Sequence, residues 1–214
     1  MSKGRKRAKP QSKKLAALLE GMRRKTGVRD LAKRFLIVCE DDKSAPSYFH
    51  ALKRRFGLST ASVEVVGSGG HSQPVQVVRR AVDRQAASAD PDSGTEPFDE
   101  VWCVIDGDYG SKINNARTSA VVHGVELAIS TPCFEYWILL HFEASAVPAA
   151  KCDVVVHSLK ERHLPDYEKG ACDFDSMLEH VHDACARAKR LREPGIKRGE
   201  APRTRTHAAR STGW

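Results

Sequence analysis

The sequence has little of what marks a membrane or secreted protein. No apolar stretch approaches the roughly 20 residues that a membrane-spanning helix needs, and the basic N-terminus is not followed by an apolar signal segment. The six cysteines are scattered, and no two have C-x-x-C spacing. These absences predict a cytoplasmic protein whose cysteines are reduced rather than bound to zinc.

The signatures of several enzyme classes are also missing. Gly67–Gly70 is glycine-rich and precedes an expected helix, but no G-K-[ST] follows, which argues against a nucleotide-hydrolysing P-loop. The same stretch could still bind a phosphate through its backbone N–H groups. No G-x-S-x-G motif and no Cys/His pair at a recognised spacing indicates acyl chemistry.

Positive charge is spread unevenly along the chain. The formal net charge is +8, but residues 1–34 hold 13 basic and 2 acidic residues, and residues 187–214 hold 9 and 2. The intervening residues, 35–186, hold 13 basic and 23 acidic residues. This pattern favours an acidic, cation-binding core with basic arms that neutralise nucleic-acid phosphates. The alternative is that the arms are disordered, solubilising tails.

The N-terminal arm supplies the candidate contacts to RNA or DNA. These are Lys3, Arg5, Lys6, Arg7, Arg23 and Arg24. Apolar residues at helical spacing over 15–24 add a short helix to this arm. The chain is therefore expected to have an arm (1–34), a folded domain (35–193) whose C-terminal helices begin near residue 146, and a flexible basic tail (194–214).

Short apolar runs alternate with amphipathic segments through the middle of the chain. Strands are predicted at Phe35–Cys39, Val63–Val66, Val101–Ile105 and Val125–Ile129. Helices are predicted near 47–55, 74–87, 114–122, 134–142, 154–162 and 174–192. This alternation predicts an α/β fold: a mainly parallel sheet flanked by helices, with a C-terminal helical extension.

Two of the predicted strands end in carboxylates. The run FLIVCEDD places Glu40 after the first strand, and VWCVIDGDYG places Asp106 and Asp108 after the third. Acids avoid burial unless they are paired or metal-bound, and ligands of open α/β sheets bind beyond the carboxyl ends of the strands. If the two strands are neighbours, the three acids converge on a Mg²⁺ or Mn²⁺ site that could activate water at a phosphodiester. Alternatively, Asp106 and Asp108 only cap their D-G-D turn.

Two further candidates lie in the apolar segment 134–142. Glu135 is surrounded in sequence by aromatic and aliphatic residues, so it needs a partner, which would be either a metal or an ion pair. His141 fits better as a hydrogen-bonded core residue than as a catalyst.

Three motifs resemble those of known proteins: VCEDDKSAPSYFHAL, VWCVIDGDYG and STPCFEYWILLHF. Over about residues 35–192 the chain resembles the RloB-like family, which includes the second component of AbiL phage-abortive systems. A strand that ends in Glu, followed by a strand that ends in D-x-D, also resembles the Toprim catalytic fold of topoisomerases, primases and OLD-type nucleases. The resemblance implies that the sheet is Toprim-like and that 35–193 is a RloB domain.

The resemblance also implies roles for particular residues. Glu40 would take the place of the Toprim glutamate, and Asp106 and Asp108 would take that of its D-x-D pair, with Glu135 as the next catalytic candidate. Lys169, in the segment PDYEK, could hold a phosphate or stabilise transition-state charge, or it could be ordinary surface.

The implied protein is a Mg²⁺-dependent nuclease effector of prokaryotic antiphage defence. It would cut RNA, with tRNA among the candidates, or DNA, beside an ABC/AAA-type ATPase partner. A catalytically silent nucleic-acid-binding or assembly subunit is the alternative. A phosphotransferase or phosphatase that acts on small phosphoesters is a third hypothesis.

The sequence departs from the family's pattern near Glu40. Relatives carry C-E-G-x-x-T-E at this motif, whereas Asp41 and Ala45 stand here in place of the glycine and the later acid. Asp41 is expected to alter the metal shell, and Ala45 to remove one possible ligand. Residues 203–214 also lack the polar segment with which relatives continue into another helix. These departures are compatible with a copy whose activity is weakened or lost.

Overall fold

A four-stranded sheet organises the part of the chain that the computed structural model describes, namely residues 33–59, 63–70, 73–144 and 151–192. The strands are β1 (Phe35–Cys39), β2 (Val63–Val66), β3 (Glu100–Asp106) and β4 (Glu126–Ser130). The helices are α1 (Ser44–Phe56), α2 (Pro74–Ala89), α3 (Lys112–His123), α4 (Phe134–Leu139), α5 (Cys152–Arg162), α6 (Phe174–Met177) and α7 (Val181–Arg192).

The strand order is β2-β1-β3-β4, and every neighbouring pair is parallel. Phe35 of β1 is aligned with Val63 on one side and with Glu100 on the other. The predicted α/β fold, a parallel sheet flanked by helices with a helical C-terminal part, is therefore confirmed. Because all four strands run in the same direction, their carboxyl ends meet at a single edge of the sheet.

The sheet separates two apolar cores, because successive side chains of a strand point to opposite faces. On one face, Leu36 and Val38 of β1 pack with residues of α2 and α3 such as Val78 and Ala116. On the other face, Cys39 packs with residues of α1 and α4 to α6. This second core contains Tyr48, Phe134, Ile138, Leu159, Tyr167 and Phe174. The helices therefore cover both faces, as the near-continuous apolar strands require.

Two predicted helices end or divide differently in the structure. The helix predicted over 134–142 stops at Leu139, and His141 N–H bonds to the carbonyl of Ile138, a tighter i→i+3 pattern. The helix predicted over 174–192 is divided into α6, a 3₁₀ turn at Leu178–His180, and α7. Neither end carries the glycine or proline that usually marks a helix boundary in sequence.

The predicted helix over 15–24 and the predicted basic tail lie outside the described residues. Among the helices that are described, none combines the length and the apolar character needed to cross a membrane.

Candidate active site

The carboxyl ends of β1 and β3 bring two of the predicted acids together. The carboxylate of Glu40 accepts the backbone N–H of Asp106 on Oε2 at 2.9 Å and the phenolic O–H of Tyr109 on Oε1. The backbone N–H of Glu40 bonds to the carbonyl of Val104, which continues the ladder between the strands. Glu40 is only 9% exposed, so its position depends on these partners.

The side chain of Asp106 connects the sheet to α4. Its Oδ1 accepts the backbone N–H of Phe134, the first residue of that helix, at 2.8 Å. The N–H of the next residue, Gly107, lies 2.8 Å from the carbonyl oxygen of Ser130, where β4 ends. A Cβ at Gly107 would lie 2.0 Å from Oγ1 of Thr131, so only glycine allows this close approach. The glycine of the D-G-D motif is therefore a packing requirement of the site.

Glu135 lies in the first turn of α4 and is fully enclosed. Only 1% of it is exposed. Its Oε1 accepts hydrogen bonds from Ser44 Oγ at 3.2 Å and from the Tyr167 hydroxyl at 3.1 Å, and it lies 3.2 Å from Lys169 Nζ. The Lys169 side chain is 54% exposed, so it connects the buried carboxylate to solvent. Of the two partners predicted for Glu135, the described residues supply the ion pair.

Burial and neighbouring negative charges together raise the pKa values of the acids at this edge. Burial is the largest cause that raises the pKa of Asp106, and the charges of Glu40 and Glu135 add to it. The N–H of Phe134 and the charge of Lys169 act in the opposite direction, and the resulting pKa of Asp106 is about 7. Asp106 therefore changes its charge near neutral pH, and a cation at this edge would favour its ionised form.

The pKa of Glu40 is raised by the same kind of environment. Burial is the largest cause; the hydrogen bonds from Tyr109 and from the Asp106 N–H lower the pKa, and the charges of Asp108 and Asp41 raise it. The donor set consists of carboxylate oxygens with uncompensated charge, which are the ligands that a hard divalent cation prefers. These residues therefore fit Mg²⁺ or Mn²⁺ chemically.

Asp108 is the third member of the predicted metal set. It lies at the exit of β3, and it acts on Glu40 through its charge. Within the described part of the chain, Glu40, Asp106 and Asp108 do not bring three ligand atoms within 4.8 Å of one another. The structure thus places all three acids at one edge and holds two of them by direct bonds to that edge.

Asp41, which directly follows Glu40, is bound to the N-terminus of α1. Its carboxylate accepts the backbone N–H groups of Lys43, Ser44 and Ala45, at 3.3, 2.5 and 3.1 Å. These are otherwise unpaired donors at the helix N-terminus. Ala45 is buried in the first turn of α1, where it packs in the core.

The side chain of Asp42 binds the glycine-rich stretch Gly67–Gly70, which was a candidate phosphate-binding loop. Its Oδ1 accepts the N–H of Gly69 at 2.9 Å, and its Oδ2 accepts the N–H of Gly70 at 3.3 Å. These two amides are bound to an internal carboxylate, and they are not available to a phosphate in this arrangement. The sequence could not indicate this because Asp42 lies in another loop.

His141 is a core residue, as its sequence context favours. It is 1% exposed; its Nδ1 donates to the Trp137 carbonyl at 3.0 Å, and its Nε2 accepts from the Tyr48 hydroxyl at 3.1 Å. Burial lowers the pKa of His141 to about 4, so the ring is neutral at physiological pH. Its two ring nitrogens are therefore both engaged by core partners rather than by the acidic edge.

The prediction that all six cysteines are reduced is wrong for two of them. Cys133 and Cys152 form a disulfide whose Cα atoms are 5.7 Å apart. They are 19 residues apart in sequence, a spacing that signals no particular pairing. The remaining four are free thiols.

Three side chains of the site were not identified from the sequence. Tyr109 follows the D-G-D motif directly, Ser44 lies in the VCEDDKSAPSYFHAL motif, and Tyr167 lies in the PDYEK segment. Each lies within a motif that is recognisable in the sequence. Their location in these motifs could have identified them as site residues, whereas their residue types alone could not. The predicted nucleic-acid contacts in residues 3–24 lie outside the described residues.

The fold and this edge define a parallel α/β protein with a carboxylate cluster at the strand ends of β1 and β3. Residues 35–209 match the family model described as RloB-like protein, and the chain belongs to the RloB-like family. No curated protein and no solved structure was found to match the chain.

Proposed function

We propose that this RloB-like protein is a metal-dependent nuclease with a Toprim-like catalytic edge. The observation that supports the proposal is the bond between the Glu40 carboxylate and the backbone N–H of Asp106. It holds the two acids at the carboxyl ends of neighbouring parallel strands, where open α/β sheets bind their ligands.

Glu40 and Asp106 would hold Mg²⁺ or Mn²⁺, with Asp108 as the third ligand. When bound, such a cation activates water and stabilises the leaving oxygen of a phosphodiester. Among the described residues, Lys169 brings positive charge to this edge of the sheet. It forms an ion pair with Glu135, and its charge lowers the pKa of Asp106. Its half-exposed ammonium group is suited to bind a substrate phosphate from the solvent side.

The substrate we propose is RNA, with tRNA among the candidates, or DNA. The acidic middle of the chain is suited to hold a cation. The basic residues of 1–34 and 187–214 are suited to contact nucleic-acid phosphates. Family membership further supports a role in antiphage defence beside an ABC/AAA-type ATPase partner, which we include in the proposal.

The test is cleavage of end-labelled tRNA and duplex DNA by the full-length protein, with and without Mg²⁺ or Mn²⁺. We expect Glu40→Gln and Asp106→Asn to lower the rate by at least about 100-fold, because each removes charge from the cation site. The matched controls are Glu126→Gln, at the opposite end of the sheet, and Asp83→Asn, on α2; both are exposed acids and should retain full activity. Cleavage without metal, or full activity in both site variants, would refute the mechanism.

A catalytically silent nucleic-acid-binding or assembly subunit is the second candidate. The spread of the ligand atoms of Glu40, Asp106 and Asp108 beyond 4.8 Å favours it. This candidate predicts salt-sensitive binding of nucleic acid without cleavage in any metal, even when the ATPase partner is added. A parallel assay on generic phosphomonoesters separates both candidates from a phosphatase.

A further inference from the structure

A second group of potential metal ligands lies beside the carboxylate edge. It consists of Cys133, Glu135 and Cys152, whose ligand atoms all lie within 4.8 Å of one another. Cys133 immediately precedes α4, Glu135 is the second residue of that helix, and Cys152 begins α5. We propose that, in the reduced protein, these three residues form a zinc site, distinct from the Glu40–Asp106 cation site.

The chemistry of the donors selects the metal. Two thiolates and one carboxylate form a mixed, sulfur-rich set, which suits Zn²⁺ and is unsuited to Mg²⁺. Zinc ligand distances of about 2.0–2.3 Å put neighbouring donor atoms on the order of 3.5–4 Å apart. Because the two sulfurs are bonded to each other in the oxidised protein, reduction must let them separate to reach this geometry. With three protein ligands, a tetrahedral zinc would need a fourth donor, for which an internal water is sufficient.

The two oxygens of Glu135 have different surroundings: one faces the cysteine sulfurs, and the other is held by polar side chains. Its Oε2 lies 3.6 Å from Cys152 Sγ, facing the sulfur pair. Its Oε1 is held by Ser44, Tyr167 and Lys169, each within 3.2 Å. Such partners orient a metal ligand and tune its basicity. The charge of Lys169 also offsets the negative charge that two thiolates and a carboxylate leave around a single Zn²⁺.

The disulfide is the oxidised, metal-free form of the same site. A dithiol reductant breaks the Cys133–Cys152 bond by supplying two electrons and two protons, and is itself oxidised to a disulfide. The resulting thiols lose their two protons when they bind Zn²⁺, because thiolates are the ligands. The redox state of this cysteine pair should therefore control zinc occupancy. The zinc proposal does not depend on whether the proposed nuclease activity is correct.

The experiment measures zinc per chain in the full-length protein after removal of unbound metal. A phosphine reductant is used, since it carries no thiol that competes for zinc. We expect about one zinc per reduced chain and almost none per oxidised chain, with recovery on re-reduction. Co²⁺ in place of Zn²⁺ should give thiolate-to-cobalt absorption in the reduced protein only. Because one polypeptide is compared in two redox states, the result does not depend on a variant that folds.

Variants assign the ligands. Cys133→Ser and Cys152→Ser should each abolish zinc binding, and Tyr167→Phe should weaken it about tenfold through the orientation of Glu135. Cys185→Ser, an exposed free cysteine on α7, is the matched control and should bind zinc normally. A reduced protein without bound zinc, or unchanged binding in both site cysteine variants, would overturn the proposal.

Discussion

The charge of Asp106 makes the stability of the protein depend on pH. Its pKa is raised to about 7, whereas an aspartate in an unfolded chain titrates near 3.9. The folded state therefore binds a proton that the unfolded state has already lost. This contribution to stability is complete below about pH 4 and is lost as the pH rises through about 7.

We expect Asp106→Asn to reduce this pH dependence. Each pKa unit corresponds to about 1.4 kcal/mol, so the wild-type protein should lose up to about 4 kcal/mol relative to the variant between pH 4 and pH 8. Urea unfolding in metal-free buffer at several pH values measures the difference between the two proteins. If both lose stability equally over this range, Asp106 is not the group that titrates.

Tyr109 favours the ionised form of Glu40 against the effect of burial. Its hydroxyl donates to the Glu40 carboxylate and lowers the pKa of that group. Tyr109→Phe keeps the ring and removes the donor, so the pKa of Glu40 should rise and Mg²⁺ binding should require a higher pH. Calorimetric Mg²⁺ titrations between pH 6 and pH 8 measure this shift. In a Glu40→Gln background the same change should have no further effect, and an equal effect there would contradict the assignment.

At the residue scale, the sequence identifies ionisable groups better than their partners. Glu40 and Asp106 are recognisable because each ends a buried strand, which is a local pattern. Their partners are brought in by tertiary contacts over long separations, as with Ser44 and Glu135, which are 91 positions apart. No local pattern encodes such a contact, and the Cys133–Cys152 pair is invisible in sequence for the same reason.

At the scale of the element, α1 begins earlier than its apolar pattern predicts. The sequence indicates a helix from about residue 47, whereas the helix starts at Ser44. Asp41 binds the free N–H groups of the first turn and so extends the helix toward the strand. The bounds of β1 and β2 are predicted correctly, because each is a short apolar run whose polar or glycine neighbours mark its ends.

We expect Asp41→Ala to lower the free energy of unfolding by about 1 kcal/mol. Loss of a helix cap costs about 0.5–2 kcal/mol, and here burial, which raises the pKa of Asp41, offsets part of the benefit. Asp41→Asn keeps one of the two oxygen acceptors, so its stability should lie between those of the wild type and the alanine variant. Urea denaturation compares the three proteins, and equal stability of the alanine variant would show that the cap contributes nothing.

At the scale of the whole molecule, the alternation of strands and helices determines the class of fold. Parallel strands joined by helices can form few arrangements, so the flanked parallel sheet was predictable. The sequence leaves open whether β1 and β3 are neighbours, because strand order depends on how the connecting helices pack. That order is what places Glu40 beside Asp106.

The uneven charge predicts a salt-dependent interaction with nucleic acid through the N-terminal arm. Replacing four of its basic residues by glutamine should make the plot of log affinity against log salt shallower, by up to about 0.9 for each duplex-DNA phosphate that is no longer neutralised. The four residues are Lys3, Arg5, Lys6 and Arg7. The matched control replaces four exposed basic residues of the helices outside both basic segments, namely Arg54, Arg55, Arg79 and Lys160. Fluorescence anisotropy at several salt concentrations measures the slopes, and equal slopes in the two variants would exclude the arm.

The bonds that build the acidic edge join distant parts of the chain. Glu40 is held by a backbone N–H 66 positions later, and Ser44 is joined to a tyrosine 123 positions later. During synthesis the N-terminal segments leave the ribosome first, well before those partners exist. An unfinished or prematurely terminated chain therefore lacks an assembled site. Under the nuclease function proposed above, incomplete copies of the chain would be unable to cleave nucleic acid.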